Sequence, residues 1–141
     1  MREIKFRAWI ERYQKYMPVA MIYFEPILGK IDYIEVVATG GDWAKFYPEE
    51  VILEQYTGLK DKNGKEIYEG DIVEQFVCGV HQFKGKECGR KTLWQVRWNE
   101  EECCFELHYL SGSLFGDSMM SNSDEYEVIG NIHENPELLE E

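Results

Sequence analysis

The chain of 141 residues has the length of one domain or of two small units. Its hydrophobic content of 44% and aromatic content of 14% exclude a disordered chain, because so many apolar side chains can bury a core. The net charge of −12 argues against binding to nucleic-acid backbones, because an acidic surface repels phosphate groups.

The first strand is predicted from alternation near the N-terminus. Apolar side chains occupy every second position from Ile4 to Ile10, and Lys5, Arg7 and Trp9 lie between them. This period of two is typical of a half-buried strand. Trp9 falls on the face opposite the apolar side chains, so we expect it to point outward.

Two further strands are predicted in the N-terminal part. Residues 17–24 should return as the second strand of a hairpin, and Pro18 favours an edge or strand-start position because proline cannot donate to a ladder. Residues 31–38 are rich in β-branched and aromatic side chains, which predicts a third strand. The turn-forming residues 39–42 follow it.

Short helices are predicted after the third strand. Asp42 could cap a helical turn over residues 43–47, and Pro48 could begin a helix over residues 48–54, because proline and acidic residues suit a first helical turn. We place the end of an N-terminal β-rich unit, residues 1–54, at this point.

The next segment, residues 56–73, predicts two closely spaced chain reversals. The Asn63-Gly64 pair predicts a type I′ turn because both residues tolerate positive φ, and Asp61 adds a second turn former. Gly70 breaks the chain again before another strand. Together these signals predict a small curled sheet.

A hairpin with an acidic tip is predicted over residues 94–109, where apolar residues again alternate. Its tip consists of three consecutive acids, Glu100, Glu101 and Glu102. We interpret them as a solvated turn that discourages edge-to-edge pairing. Residues 111–125 have the composition of turns, and residues 126–133 predict the last strand. The acidic tail, residues 136–141, could form one helical turn or fray.

Three segments also carry a resemblance to a known family. They are MREIKFRAW at residues 1–9, YTGLKDKNGKEIYEGDIV at residues 56–73 and EVIGNIHENPELLE at residues 127–140. In order and separation they resemble the YopX family of phage and prophage proteins. The resemblance implies a phage or prophage origin and a small SH3-like β-barrel over residues 55–135. It implies no catalytic residue, because the family has no established biochemical function.

The expected fold class is therefore mainly β, or β-rich α+β. It comprises an N-terminal unit of hairpin and strand, a C-terminal SH3-like barrel and one or two short helices. Two stretches, residues 78–91 and 111–123, depart from the family segments and look like local insertions.

Cysteine and histidine residues raise the hypothesis of a zinc site. The candidate ligands are Cys78, His81, Cys88, Cys103 and His108. Zinc needs four nitrogen or sulfur ligands, but the sequence has no pair of C-x2-C knuckles. Cys103 and Cys104 would also point to opposite faces of a strand, so only one could reach a common site. Free cysteines are the favoured interpretation, and His108 is predicted to face solvent.

A second hypothesis concerns nucleic acid. Four bases cluster in a short tract: Lys84, Lys86, Arg90 and Lys91. Such a cluster is more often a solvated loop than a phosphate site. The many aromatic side chains could stack on single strands, but in a short-stranded fold they mainly supply core area. No phosphate-cradling glycine motif is present, so we expect no nucleotide cofactor.

The favoured functional hypothesis is a non-enzymatic protein-interaction module whose acidic surface contacts a basic protein partner. Trp9 would be an anchor, and Glu100, Glu101 and Glu102 would be rim charges. An edge strand could also support a homo-oligomer. The alternatives are a nucleic-acid-binding barrel and a zinc-binding or cysteine-dependent enzyme. Without a signal peptide or an apolar run long enough to span a membrane, the expected location is the host bacterial cytoplasm, away from membranes.

Overall fold

The computed structural model describes residues 1–78, 89–111, 118–120 and 126–139. The chain divides into two compact units, Met1–Tyr56 and Thr57–Glu141. Antiparallel strands dominate both units, and the described helices are short 3₁₀ turns, which confirms the mainly β fold class. In the described part of the chain, no helix has the length and apolar character needed to cross a membrane.

The first unit is built on an antiparallel sheet of five strands. They are β1 (Phe6–Ile10), β2 (Lys15–Phe24), β3 (Ile31–Val37), β4 (Trp43–Phe46) and β5 (Val51–Lys60). Their order in the sheet is β4-β3-β2-β1-β5, and β5 continues past Tyr56 into the second unit. The core on one face of this sheet is formed by Ala8, Ile10, Met17, Ile34, Val36, Phe46 and Val51.

Of the two short helices predicted after the third strand, the first is wrong and the second is shorter than expected. Residues 43–46 form β4, whose Ala44 and Phe46 pack on the core while pairing with β3. The second helix is only the 3₁₀ turn Pro48–Glu50, because β5 begins at Val51 and pairs with β1. Tertiary pairing here overrides the local helix-start signals of proline and acids.

Trp9 does not point into solvent, which corrects the predicted surface anchor. Its side chain is only 3% exposed, and its ring packs edge-on against Tyr16 with 5.0 Å between ring centroids. Alternation correctly placed Trp9 opposite the core residues Ala8 and Ile10. The prediction of exposure was wrong because both faces of β1 are covered.

Pro18 predicts an edge or strand-start position, and of these two alternatives the edge position is wrong for β2. β2 lies between β1 and β3 in the sheet. The ladder with β1 runs from Lys15 to Pro18, and the ladder with β3 begins at Val19. Pro18 therefore lies at the end of one ladder and outside the other, where a missing N–H is tolerated.

The second unit contains another antiparallel sheet of five strands. They are β7 (Asp71–Cys78), β8 (Gly89–Asn99), β9 (Cys104–Ser111), β10 (Ser118–Met119) and β11 (Tyr126–Asn131), in the order β10-β9-β8-β7-β11. The short β6 (Glu66–Tyr68) pairs with β5, and a 3₁₀ turn, Pro136–Leu139, lies in the predicted tail. The core is formed by Ile67, Val73, Trp94, Val96, Leu107 and Tyr126. The described strands do not close into a barrel, so the SH3-like barrel is not found among them.

The predicted reversal at Asn63-Gly64 is present, but its turn type differs. Positive φ occurs at Gly64 (+82°) and not at Asn63, which excludes type I′. The Gly64 N–H donates to the Asp61 carbonyl at 3.0 Å, and the Asp61 N–H donates to the Lys65 carbonyl at 2.8 Å. Asp61 also accepts the Asn63 N–H through its carboxylate at 2.9 Å, which favours a type I turn followed by a left-handed glycine.

Gly130 in β11 should not tolerate a side chain. A Cβ at this position would lie 2.5 Å from Oδ1 of Asn135, the oxygen that accepts the Asn131 N–H at 3.2 Å. We expect Gly130→Ala to lower the free energy of unfolding by about 1 to 2 kcal/mol, because Asn135 must move and lose this contact. Thermal unfolding checks this. The reverse exchange Ala20→Gly, at an exposed site of β2, involves no clash and should cost no more than about 0.5 to 1 kcal/mol, from the backbone freedom of glycine alone. A melting temperature unchanged by Gly130→Ala would contradict the contact.

Candidate functional site

The clearest surface feature of the first unit is a group of aromatic rings on β2, β3 and β4, on the sheet face opposite the core. We call this surface the aromatic face, and it consists of Tyr23, Tyr33, Trp43, Lys45 and Tyr47. Alternation explains its position: Ile34, Ala44 and Phe46 pack on the core, so their sequence neighbours lie on the other face.

The side chains of the aromatic face contact one another across the strands. Tyr23 and Tyr33 are paired in the ladder, and their rings stack with centroids 4.9 Å apart and planes 12° apart. The Lys45 ammonium lies 4.0 Å from the Tyr33 ring centroid and 5.6 Å from that of Tyr47. These cation–π contacts show that the rings present their faces, where a positive charge is attracted.

Three of these aromatic side chains remain open to solvent. Trp43 is 61% exposed, Tyr47 46% and Tyr23 40%. The backbone of Tyr47 is held by the following 3₁₀ turn, because its N–H donates to the Glu50 carboxylate at 2.8 Å. Trp43 lies on β4, which is the edge strand of the sheet. The arrangement therefore offers exposed rings beside a strand edge.

The aromatic face has chemistry suited to binding by stacking, cation–π contact and backbone pairing. Its ring atoms and ammonium provide neither a nucleophile–base pair nor a set of metal ligands. Across the described ranges, no cluster of three or more His, Cys, Asp or Glu side chains is arranged to hold a metal ion. Glu35 is opposite Lys45 in the ladder between β3 and β4 and adds a negative charge to the aromatic face.

The predicted zinc ligands are not brought together where the structure describes them. Cys103 is not in a strand, because it ends the turn between β8 and β9 with a φ of +52°. Cys103 is an exposed free thiol, and Cys104 is a half-buried one at the start of β9. His108 is half-buried on β9, where full solvent exposure was expected. Cys78 ends β7, while His81 and Cys88 lie outside the described residues.

Two of the four residues of the predicted basic cluster belong to the part of the chain that the structure describes. Lys84 and Lys86 lie outside the described residues, and Arg90 belongs to β8. The ammonium of Lys91 forms an ion pair with the Glu74 carboxylate at 3.1 Å. The one member of the cluster whose side chain is described thus has an acidic neighbour.

The acidic tip is present as predicted. The hairpin of β8 and β9 reverses at Glu100, Glu101 and Glu102, all of which are exposed. The Asn99 side chain shapes the turn, since its oxygen accepts the N–H groups of Glu101 at 2.9 Å and Glu102 at 3.0 Å. These acids belong to the second unit, whereas the aromatic face belongs to the first.

Sequence reasoning missed the aromatic face because residues 43–47 were assigned to a helix and most aromatics to the core. The available signal was the alternation Trp43, Lys45 and Tyr47 around Ala44 and Phe46, which is typical of a short strand. Aromatic residues do fill the core at some positions, such as Trp94 in the second unit. Exposure at the other positions depends on which sheet face is covered, and the sequence does not show this.

A buried polar cluster of the first unit was also missed. The Glu54 carboxylate is 2% exposed and accepts the Arg7 Nε–H at 2.7 Å and the Tyr16 hydroxyl at 3.0 Å. The Arg7 guanidinium lies 4.2 Å from the Tyr16 ring centroid. Glu54 was placed in a helix, so its pairing with Arg7 across β1 and β5 could not be predicted.

Comparison with known proteins places the chain in a family. The family model described as "YopX protein" matches residues 5–140, which is nearly the whole chain. No functionally curated protein matches the sequence. Among solved structures, the chain is similar to protein EF1440 from Enterococcus faecalis, with 27% sequence identity, a TM-score of 0.60 and coverage of 99% of this chain and 100% of that chain. On the extent of the family match, the chain belongs to the YopX family.

Proposed function

We propose that this protein is a non-enzymatic protein-interaction module, encoded by a phage or prophage, that acts in the bacterial cytoplasm. Its docking surface is the aromatic face together with the edge strand β4. The partner is a protein segment in extended conformation that carries basic side chains. The origin and location rest on the family resemblance and on the sequence, and the docking surface rests on the geometry of the first unit.

The observation that carries this proposal is the exposure of Trp43 and Tyr47 at the edge of a sheet. Large aromatic side chains are the residue types that most often dominate binding energy at protein interfaces. An extended segment can add to an edge strand through main-chain hydrogen bonds, while its alternate side chains contact one sheet face. Beside β4, those side chains would lie over Trp43 and Tyr47.

The charge of the protein favours a basic partner. The whole chain carries a net charge of −12, so a basic segment is attracted at long range. Lys45 already lies on the Tyr33 ring, so a cation of the partner would contact the exposed rings of Trp43 and Tyr47. Arginine side chains suit this surface particularly well, because their planar group stacks on aromatic faces. A nucleic acid would meet the opposite electrostatic effect.

The proposal predicts that a basic extended peptide binds through Trp43 and Tyr47. The probe is a decapeptide of alternating arginine and threonine, titrated at low salt by fluorescence anisotropy. We expect the double variant Trp43→Ala, Tyr47→Ala to bind it about tenfold more weakly, because truncating interface aromatics commonly costs that much. Trp98→Ala is the matched control, since it removes an exposed tryptophan from the second unit, and we expect it to change the affinity by less than about twofold.

Three results would overturn the proposal. The first is equal binding of the basic peptide to the double variant and to the unmodified protein. The second is binding of an alternating glutamate-threonine peptide or a thymidine oligonucleotide that is lost in the double variant, because the surface would then recognise another kind of ligand. The third is a dimer in sedimentation that the double variant converts to a monomer, because the aromatic face would then pair with a second copy of the chain.

A further inference from the structure

A small open pocket lies in the first unit, at the end of the sheet where two turns meet. One turn joins β1 to β2 and the other joins β3 to β4. The pocket has a volume of about 250 Å³ and lies on the core side of β4, because Ala44 and Phe46 line it. It is therefore on the sheet face opposite Trp43 and Tyr47.

The floor of the pocket is apolar. Met17 and Phe46 are nearly buried there, and Ala44 leaves space because its side chain is a single methyl group. The Tyr13 ring forms one wall, packed edge-on against Phe46 with ring centroids 6.3 Å apart. An apolar ring or branched chain that entered this space would be removed from water, which is favourable.

The mouth of the pocket carries two polar groups that together suit an anion. The Lys15 ammonium donates to the Thr39 hydroxyl oxygen at 3.3 Å, and both side chains line the pocket. An ammonium has three N–H donors, so it can bind an anion while keeping this contact. The Thr39 hydroxyl accepts from Lys15, which leaves its own proton to donate. Ammonium and hydroxyl thus form a pair of donors matched to the two oxygens of a carboxylate.

The volume sets the size of the ligand. An apolar cavity of roughly 150 Å³ can hold one benzene, and sites for larger organic ligands typically occupy roughly 300 to 1,000 Å³. A pocket of about 250 Å³ therefore fits a single ring with a short acidic chain and excludes a nucleotide. We propose that this pocket binds a small apolar monocarboxylate, with its apolar body on Met17 and Phe46 and its carboxylate at Lys15 and Thr39.

This binding site goes beyond the proposed protein interaction and can fail independently of it. The pocket uses Lys15 and Ala44, whereas the docking surface uses Trp43 and Tyr47. Lys15→Met lies outside β4, so this variant should still bind the arginine-threonine peptide when it loses the small acid. A pocket variant that binds neither the small acid nor the peptide would instead indicate that the fold of the first unit is disturbed. Circular dichroism identifies that case.

The test uses 3-phenylpropionate as the probe and the full chain, followed by NMR of labelled protein. We expect saturable shifts at residues 13–17 and 38–46 with a dissociation constant of about 1 mM, as is usual for so small a ligand. Lys15→Met keeps the apolar stem and removes the charge, and it should weaken binding about fivefold. Lys30→Met, at an exposed lysine outside the pocket lining, is the matched control and should leave the affinity within about twofold.

A second variant tests the apolar part of the pocket. Ala44→Leu should fill the space and abolish binding of 3-phenylpropionate while the protein keeps its strand content. Three results would overturn the proposal: no saturable shifts up to the solubility limit of the acid, equal binding of 2-phenylethylamine, or unchanged affinity in Lys15→Met. The proposal would also be overturned if a tetrapeptide with C-terminal phenylalanine bound more than about tenfold more tightly than 3-phenylpropionate, because the site would then recognise the end of a peptide chain.

Discussion

Replacing Glu54 with alanine should lower the free energy of unfolding by about 3 kcal/mol, because it breaks a buried ion pair from one side. Glu54 accepts hydrogen bonds from Arg7 Nε and from the Tyr16 hydroxyl, at 2.7 and 3.0 Å. Its removal leaves the guanidinium of Arg7, on a largely buried side chain, without this carboxylate. Equilibrium unfolding in urea, followed by circular dichroism, measures the loss.

Two further variants separate the ion pair from general effects of substitution. Glu49→Ala removes an exposed acid from the same segment and should change the free energy of unfolding by less than about 0.5 kcal/mol. The double variant Arg7→Met, Glu54→Leu removes both charges and should recover at least half of the loss, because apolar residues of similar volume often replace a buried pair well. A double variant less stable than Glu54→Ala would contradict this account of the cluster.

Replacing Asp61 with alanine should also lower the free energy of unfolding by about 3 kcal/mol, because three backbone N–H groups lose their acceptor. The Asp61 side chain is 7% exposed, and its carboxylate accepts the N–H groups of Asn63 and Lys65 at 2.9 Å each and of Val128 at 3.0 Å. Asp32→Ala removes an exposed carboxylate of β3 and is the control. Its free energy of unfolding should stay within about 0.5 kcal/mol of that of the unmodified protein. The same urea unfolding experiment applies, and equal stability of the two variants would contradict the prediction.

The Asp61 carboxylate stabilises the folded state to an extent that depends on pH. Burial alone would raise the pKa of this carboxyl group, but the N–H groups of Val128, Lys65 and Asn63 outweigh burial and hold it below its ordinary value of 3.8. The unfolded chain therefore binds the proton more tightly than the folded chain. The stabilisation is complete above pH 3.8 and is lost as the pH falls through the lower folded-state pKa. Accordingly, the stability difference between the unmodified protein and Asp61→Asn should shrink in strong acid.

Two of the three segments that carry the family resemblance, residues 56–73 and 127–140, meet at this turn. The Lys62 N–H donates to the Tyr126 carbonyl at 2.9 Å, and the Lys62 ammonium pairs with Glu127 at 2.9 Å. The hydrogen bond to Glu127 raises the pKa of Lys62. Together with the contact between Asp61 and Val128, these bonds join the turn after β5 to β11.

Alternation predicted those strands that have one apolar face. It placed Ala8 and Ile10 of β1 on the core and identified the hairpin of β8 and β9 with its acidic tip. It could not predict that both faces of β1 are covered, so Trp9 was expected at the surface. Residues distant in sequence decide whether the second face of a strand is covered, so the sequence of the strand alone does not predict it.

The candidate site was missed for a related reason. β4 has four residues, which is too short for alternation to outweigh the neighbouring Asp42 and Pro48 signals for a helix. Aromatic residues favour both cores and interfaces, so Trp43 and Tyr47 could be assigned to a surface only once β3 and the sheet order were known. The turn at Gly64 was located because glycine is required there, but its type was set by hydrogen bonds of the Asp61 side chain.

The aromatic face and β4 are the proposed docking surface for a basic extended segment. The most direct measurement is a backbone-amide NMR titration of the full chain with the alternating arginine-threonine peptide. We predict that the shifts concentrate on residues 43–47 of β4 and its following turn, and on the adjacent residues 33–37 of β3. Shifts confined to the acidic tip at residues 100–102, or spread evenly over the surface, would contradict the claim.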